Sequence, residues 1–570
     1  MIRSVAIRRR NMAAVELPGL HPVVARVLAA RGQTEPPDYS LKSLLPPTLS
    51  GLDRAADLLA RAIMRGESIL VVGDFDADGA TGTALAVRAL TSLGARQVRW
   101  LVPDRFRHGY GLSTRLVAEI EPPVPQLLLT VDQGVSSMAG VDAARRRGMQ
   151  VVVTDHHLPG PELPAAEAIV NPNLAGETFG SRALAGVGVM FYTALAVRAR
   201  LRALDWFRRR PEPRLDQWLD LVALGTVADL VPLDENNRRL VYQGLARMRA
   251  GRCSHGVRAL LEVAGRNLNH IQAADLGFAA GPRLNAAGRL EDMSVGIRCL
   301  LADSERTARV LAMELDQLNA QRRAIQADMQ QDAEAQAEAL MAEIDGEVQG
   351  LCVFHPDWHQ GVVGLVAGRL MERLQRPVIT FAPAEAGGDE LKGSGRSPAG
   401  LHMRDLLVDI DTARPGLIDR FGGHARAAGL SLKRDRLEAF RSGFGRCLAR
   451  HEFGTEQVET DGPLAPEELN VLTAEALEKS GPWGQAWPEP LFDGRFRVQE
   501  RRTVGEAHLK LRLSPESGGS AIDAIAFRAG RLLRDELPDT LHVTYRLELN
   551  RWQGRVSPQL NIQHLVSESV

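Results

Sequence analysis

The sequence predicts an α/β protein: a domain on a parallel sheet, a long helix, a second α/β domain and a C-terminal β-barrel. Three observations predict it. From about Leu52, short apolar strands alternate with helical stretches, the pattern of a parallel sheet with helices on both faces. Asp303 to Ile344 contains neither Gly nor Pro and is rich in Ala, Gln, Glu, Leu and Arg. From about Glu456, several short strands follow within about 110 residues, which suggests a small barrel.

At 570 residues the chain exceeds one core, and roughly 100–200 residues per domain implies three or four units. Residues 1–50 read as an N-terminal leader, with a short helical pattern from Leu20-His21-Pro22 to Arg31-Gly32. Residues 51–300 hold the first α/β pattern, with strands at Ser68 to Val72, Leu127 to Val131 and Val151 to Thr154 and a helix over Thr81 to Leu93. Residues 301–345 form one long helix of roughly 60 Å joining two lobes, or two shorter helices of one bundle. A second α/β pattern fills 346–452. Residues 453–570 carry strands at His508 to Leu513, Ala521 to Phe527, His542 to Leu549 and Gln559 to Leu565, with Gln553-Gly554 at a hairpin turn.

Composition narrows the function classes. Lys plus Arg is 69 and Asp plus Glu is 70, so a surface for a polyanion must be local. Cys253, Cys299, Cys352 and Cys447 form no CxxC pair, which argues against zinc ribbons and redox motifs and fits a reducing cytoplasm. No run of about 18 uncharged apolar residues exists, so no membrane span is expected. Met1 to Asn11 is basic with no apolar core behind it, so no secretory signal is expected.

The most informative stretch is Gly73-Asp74-Phe75-Asp76-Ala77-Asp78-Gly79. Three carboxylates alternate at the end of an apolar strand, where like charges repel unless a cation is bound. An EF-hand also begins DxDxDG, but its twelfth position needs a Glu, and here that position is Leu85. Two more strands end the same way, in Asp132-Gln133-Gly134 and in Asp155-His156-His157. One Asp after a strand is often only a helix cap; three such loops at one sheet edge point to a site at the carboxyl ends of the strands. A fourth acid, Asp229, closes Gly225-Thr226-Val227-Ala228-Asp229 after an apolar helical stretch. Carboxylates with one imidazole favour Mn²⁺ first, with Mg²⁺ as the alternative.

The ordered set DxDxDG, DxG, Asp-His-His and GTVAD resembles the DHH phosphoesterase superfamily. The resemblance implies two divalent metal ions held by Asp76, Asp78, Asp132, His156 and Asp229, with Asp78 and Asp132 in the region the ions share. It implies support from Asp74 and Asp155, and contact of His157 with the scissile phosphate. Paired ions of this kind lower the pKa of an attacking water and steady both oxygens of an in-line displacement.

Further motifs resemble the RecJ family within that superfamily. Pro103 to Leu112 matches its segment between the first two motifs, where Tyr110 can stack a base and Arg105 can bind phosphate. His108 departs from the acidic residue the family has there. Gly281-Pro282-Arg283-Leu284-Asn285-Ala286-Ala287-Gly288-Arg289-Leu290 matches its signature before the long helix, with Arg283 and Arg289 as phosphate contacts. Trp358 to Gly364, Lys392 to Ser397 and Gly422 to Gly429 match the associated DHHA1 domain. There the resemblance implies that Arg396, Ser394 and Arg105 hold a terminal 5′-phosphate and that His424 serves the scissile region.

The C-terminal strands resemble the family's OB-fold domain, with Arg497, Arg501, Arg502, Lys510, Arg512, Arg551, Arg555 and Trp552 as its nucleic-acid-facing candidates. The fold class implied is a DHH domain, a long helix, a DHHA1 domain and an OB-fold barrel. The function implied is a metal-dependent 5′→3′ exonuclease that degrades single-stranded DNA to 5′-mononucleotides in recombination and repair. Its expected partners are single-stranded DNA, a single-stranded-DNA-binding protein and a DNA helicase, and it is expected to be a monomer. The alternatives are a DHH hydrolase of short oligonucleotides and a non-catalytic single-strand-binding homologue.

Overall fold

The structure is a computed structural model. It describes all residues except 1–3, 12–15, 344–348, 386, 451–456, 506–507, 528, 530–537 and 567–570. The chain forms two compact units. One comprises Met12–Asn319 with Glu475–Pro490; the other comprises Met1–Asn11, Ala320–Ala474 and Leu491–Val570. The expected boundaries near 345 and 452 lie outside the described residues.

The first unit is built on a five-stranded, wholly parallel sheet. Its order is Gln97–Leu101, Ser68–Val72, Leu127–Val131, Gln150–Thr154, Ala168–Val170. Ser68–Val72 and Leu127–Val131 are buried at every position. Helices cover both faces, so neither side of these strands can be polar. Two apolar clusters result, one around Ile69, Val71 and Leu129 and one around Leu70, Val72 and Leu128. From Ser68–Val72 the chain steps outward to Gln97–Leu101 and then back across to Leu127–Val131. The crevice beyond these two neighbouring strands is where α/β sheets bind ligands.

The helix after the acidic loop, Ala77–Ser92, is buried along most of its length. Gly186–Ala203 and Leu219–Ala228 are as apolar and as buried. Glu475–Pro490 returns to this unit: Arg238 lies 4.1 Å from the Trp487 ring centre, and Leu233 N–H donates to the Gln485 carbonyl at 2.8 Å.

The second unit holds a mixed five-stranded sheet and a barrel. The sheet order is Arg420–Gly423, Ala427–Lys433, Glu390–Arg396, Val378–Pro383, Leu351–Phe354. In the barrel, Phe492–Val504 pairs with His508–Pro515 and with Thr540–Trp552. Ile522–Ala526 runs parallel to Arg555–Val566, and the latter closes the barrel against Thr540–Trp552. Gln553 and Gly554 turn that last hairpin with φ of 49° and 77°, the left-handed pair a two-residue hairpin needs.

The N-terminal leader is not one piece. Ser4–Arg9 pairs parallel with Gln457–Thr460 and Arg555–Val566. Arg9 donates to Asp493 at 2.7 Å, and Asp493 is fully buried. The basic residues of the leader's start are matched by Glu459, Asp461 and Asp493. The long helix is continuous over Glu305–Glu343, and the division between the units falls within it, after Asn319. Among the described residues, no helix is long and apolar enough to cross a membrane.

Candidate metal centre

The acidic loop is shaped by close approaches that exclude side chains. A Cβ at Gly79 would stand 2.5 Å from the Asp74 carbonyl oxygen, and one at Gly73 would strike the Thr83 hydroxyl. Asp76 caps the following helix, its Oδ1 accepting from the Asp78 and Gly79 N–H groups at 2.9 and 3.0 Å. Asp78 is buried and accepts from the Gly186 and Val187 N–H groups at 2.6 and 2.9 Å. These open the helix Gly186–Ala203, whose positive end favours the carboxylate.

Asp132 follows its strand with φ of 63°, a conformation that Asp adopts more readily than most residues. Gly186 lies against it: a Cβ there would be 2.5 Å from the Asp132 Cβ. Asp155 is buried and holds the DHH loop together. Its Oδ1 accepts from the His156 and His157 N–H groups at 2.7 and 3.0 Å and from His157 Nδ1 at 2.8 Å. Its Oδ2 accepts from the Val135 N–H at 2.9 Å.

These loops converge. His156 Nε2 lies 3.1 Å from Asp132 Oδ1, 3.4 Å from Asp229 Oδ2 and 3.9 Å from Asp78 Oδ2. Three groups offer ligand atoms within 4.8 Å of one another: Asp78, His156 and Asp229; Asp132, His156 and His157; Asp74, Asp76 and Asp132. Asp132 and His156 are each shared by two groups. The geometry adds Asp74, expected only as support, to the atoms in ligand range.

The side chains themselves show that a cation fits. Asp74 Oδ1, Asp132 Oδ1 and His156 Nε2 are buried without a hydrogen-bond partner. Such groups are destabilising unless something else satisfies them. Burial, and then the charge of Asp76, pushes the Asp74 carboxyl up to about 8 and that of Asp78 up to about 7. Burial and the neighbouring carboxylates also push Asp132 and Asp229 well above the usual range. Burial and the neighbouring His157 charge lower His156 to about 4, leaving a neutral imidazole suited to a metal. For His157, burial pulls down, but the bond and charge of Asp155 outweigh it and raise the imidazole to about 9.

Around the cluster, Tyr110 is exposed, with its hydroxyl 3.1 Å from both His157 ring nitrogens. Arg105 stacks its guanidinium 4.2 Å from the Phe75 ring centre; burial lowers its pKa, and the charges of Asp74 and Asp76 oppose that only in part. His108, the departure from the family pattern, closes this loop: its Nδ1 accepts from the Asp104 N–H at 2.9 Å and its Nε2 meets Glu119 at 3.0 Å.

Arg283 is held by its own unit. It pairs with Asp316 at 2.7 Å and donates to the Ala279 carbonyl at 2.8 Å, mostly buried. These contacts hold its guanidinium against the helix Gly281–Leu290, with the buried Nε left without a hydrogen-bond partner. Arg289 lies in the last turn of the same helix, half-buried.

Sequence reasoning missed several contributors. Asn285 accepts from the Ala77 N–H at 2.9 Å. Asn171 and Asn173 donate to the carbonyls of His157 and His156 at 2.9 and 2.5 Å. The signal for the last two was present, as Asn-Pro-Asn directly after the strand Ala168–Val170.

In the second unit, Arg396 donates to the Ser394 hydroxyl at 2.9 Å and the Gly395 carbonyl at 2.8 Å. A Cβ at Gly364 would lie 2.9 Å from both the Arg396 guanidinium and the Ser394 hydroxyl. Gly364 belongs to the first turn of Val363–Leu374, so a helix N-terminus lies beside Arg396 and the Ser394 hydroxyl. His424 is exposed, just after Arg420–Gly423.

A carboxylate–imidazole cluster at the carboxyl ends of a parallel sheet defines a metal-dependent phosphoesterase. Family models agree: the DHH family N-terminal domain matches residues 68–226, the DHHA1 domain 345–450 and the RecJ OB domain 460–564. The chain is 53% identical to the single-stranded-DNA-specific exonuclease RecJ of Dickeya dadantii, over 98% of both chains. It is 50% identical to that of Escherichia coli, over 99% of this chain and all of the other. The structure of RecJ in complex with Mn²⁺ from Thermus thermophilus superposes with a TM-score of 0.80 at 31% identity, covering all of this chain and 80% of that one. The chain belongs to the RecJ family.

Proposed function

We propose that this chain is a metal-dependent exonuclease that removes 5′-mononucleotides, one at a time, from the 5′ end of single-stranded DNA. The observation that carries this reading is the set of buried, unpartnered atoms of Asp74, Asp132 and His156 within one carboxylate–imidazole cluster. Asp76, Asp78, Asp132, His156 and Asp229, with Asp74, would hold two divalent ions, Mn²⁺ first and Mg²⁺ as the alternative. Bound there, the ions would supply Lewis acidity and activation of the attacking water.

The chain's own residues do the rest. Asp155 fixes the ring of His157 through Nδ1. The bond and charge of Asp155 raise the basicity of His157, which presents its imidazole to the scissile phosphate. Water adds to phosphorus and the 3′ oxygen of the terminal nucleotide departs, which leaves a new 5′-phosphate on the shortened strand. Tyr110 stacks a base, and Arg105, Arg283 and Arg289 contact phosphates. Arg396 and Ser394 grip the terminal 5′-phosphate, and His424 contributes to phosphate contact. The barrel's basic residues and Trp552 bind the strand farther along.

The setting proposed is the cytoplasm, as a monomer in recombination and repair, alongside a single-stranded-DNA-binding protein and a DNA helicase. The test is hydrolysis of strands labelled at the 5′ or the 3′ end, across a length series, with each metal in turn. Immediate release of the 5′ label as mononucleotide, from long and short strands alike, is expected. Release first from the 3′ end, or activity confined to short oligonucleotides, would contradict it.

A further inference from the structure

Leu230 follows Asp229 directly and is 67% exposed, with φ of 61°. A bulky residue rarely adopts that backbone conformation, and strain of this kind concentrates at functional sites. Phe278 is 81% exposed. It sits in a single π-helical turn, Leu276–Ala280, a form that recurs at functional sites. That turn packs on the end of the helix carrying Asp229. A Cβ at Gly277 would lie 3.3 Å from Val227 Cγ1, and one at Gly281 would lie 3.2 Å from the Ala228 Cβ. Val227 and Ala228 immediately precede Asp229. The polypeptide thus presents a large aliphatic and a large aromatic side chain to solvent beside the mouth of a highly charged site. Neither contributes to the core, and water gives no reason for either to be apolar.

We infer that Phe278 and Leu230 form an apolar platform that takes a nucleobase of the single strand next to the scissile linkage. The occupant follows from position: a polynucleotide whose phosphate lies at Asp229 must place a base within reach of the residues flanking it. An aromatic face accepts any base, so the platform would steady the strand without reading sequence. It would also favour an unpaired base, whose face is free. The inference rests on Asp229 belonging to the metal centre, and it makes Phe278 a positioning residue, distinct from the ligands.

The test uses the full-length protein and single strands carrying one abasic residue at successive positions from the 5′ end. With the wild type, one abasic position near the scissile linkage should raise KM. Phe278→Ala should raise KM for an intact strand by about 5- to 50-fold with kcat nearly unchanged, on the scale of one lost stack. In that variant the abasic penalty should disappear, and Phe278→Trp should restore it. Because Phe278 lies on the surface, folding should be unaffected, and an unchanged thermal midpoint checks this. An unchanged KM in Phe278→Ala, or a persisting abasic penalty, would overturn the platform and leave the pair as a protein-docking surface. Failure of the metal assignment would show separately, as normal turnover in Asp132→Ala.

Discussion

Asn285 and Ala77 are 208 residues apart in sequence, yet the Asn285 side-chain oxygen accepts the Ala77 N–H at 2.9 Å. The neighbouring Gly288 approaches the same loop, where a Cβ would strike the Phe75 carbonyl oxygen. The helix Gly281–Leu290 is therefore a brace for the acidic loop. Groups that orient metal ligands typically matter by about 10- to 100-fold. Asn285→Ala should lower both Mn²⁺ affinity and kcat within that range, while Asn285→Asp should recover little because a second acid is added. Metal titration with parallel kinetics measures both effects.

Gly186 makes a second steric demand. Its missing Cβ leaves room for the Asp132 side chain, and its N–H donates to Asp78 at 2.6 Å. Gly186→Ala should displace Asp132 and destabilise the fold by about 1–3 kcal/mol, the range for overpacking. Thermal unfolding should register the loss, and the stabilisation gained on adding Mn²⁺ should shrink.

The carboxylates also set a pH dependence for the metal-free protein. Asp74 and Asp78 bind protons more tightly folded than unfolded, with folded values of about 8 and about 7. Between their unfolded values near 4 and these, the native state holds more protons, so metal-free stability falls as pH rises. His156 acts oppositely, but only below its unfolded value near 6.5. From pH 6.5 to 8.5 the chelated protein should lose thermal stability, and the midpoint gained on adding Mn²⁺ should grow. Calorimetry at three pH values decides it; a metal-induced shift that shrinks with pH would count against the cluster as the binding site.

Arg396 and Ser394 predict a preference for the strand end. Each charge-assisted bond to a terminal phosphate contributes about 1.5–3 kcal/mol. Arg396→Ala should slow hydrolysis of 5′-phosphorylated strands by tenfold or more, on that scale, and affect 5′-hydroxyl strands less. The ratio of the two rates should fall toward one, and an unchanged ratio would put the phosphate pocket elsewhere.

Much of the scaffold was legible because its signals are local. Ser68–Val72 and Leu127–Val131 are continuous apolar runs, and both match their expected spans. The long helix likewise follows from its composition over Glu305–Glu343. What escaped depends on tertiary pairing. Ser4–Arg9 reads only as part of a basic leader, because the acids opposite its arginines and Arg10, Glu459, Asp461 and Asp493, lie 451 or more residues away. The pairing of Arg283 with Asp316 at 2.7 Å joins two separate helices and has no local signal. Asp74, which the resemblance implies as support, comes into ligand range of Asp76 and Asp132 only through the fold. Phe278 has no signal in the sequence, because its exposure shows only in the fold.

The most direct test of the metal centre is Asp132→Ala. Asp132 is shared by two of the three ligand groups and meets His156 at 3.1 Å. The measurement is the rate of mononucleotide release from a 5′-labelled single strand in Mn²⁺, together with the affinity of the same protein for that strand. Release should fall about a thousandfold or more, the scale of losing a group that stabilises charge in the transition state, while strand binding is largely kept. Near-normal release from Asp132→Ala would contradict the assignment of this cluster as the hydrolytic centre.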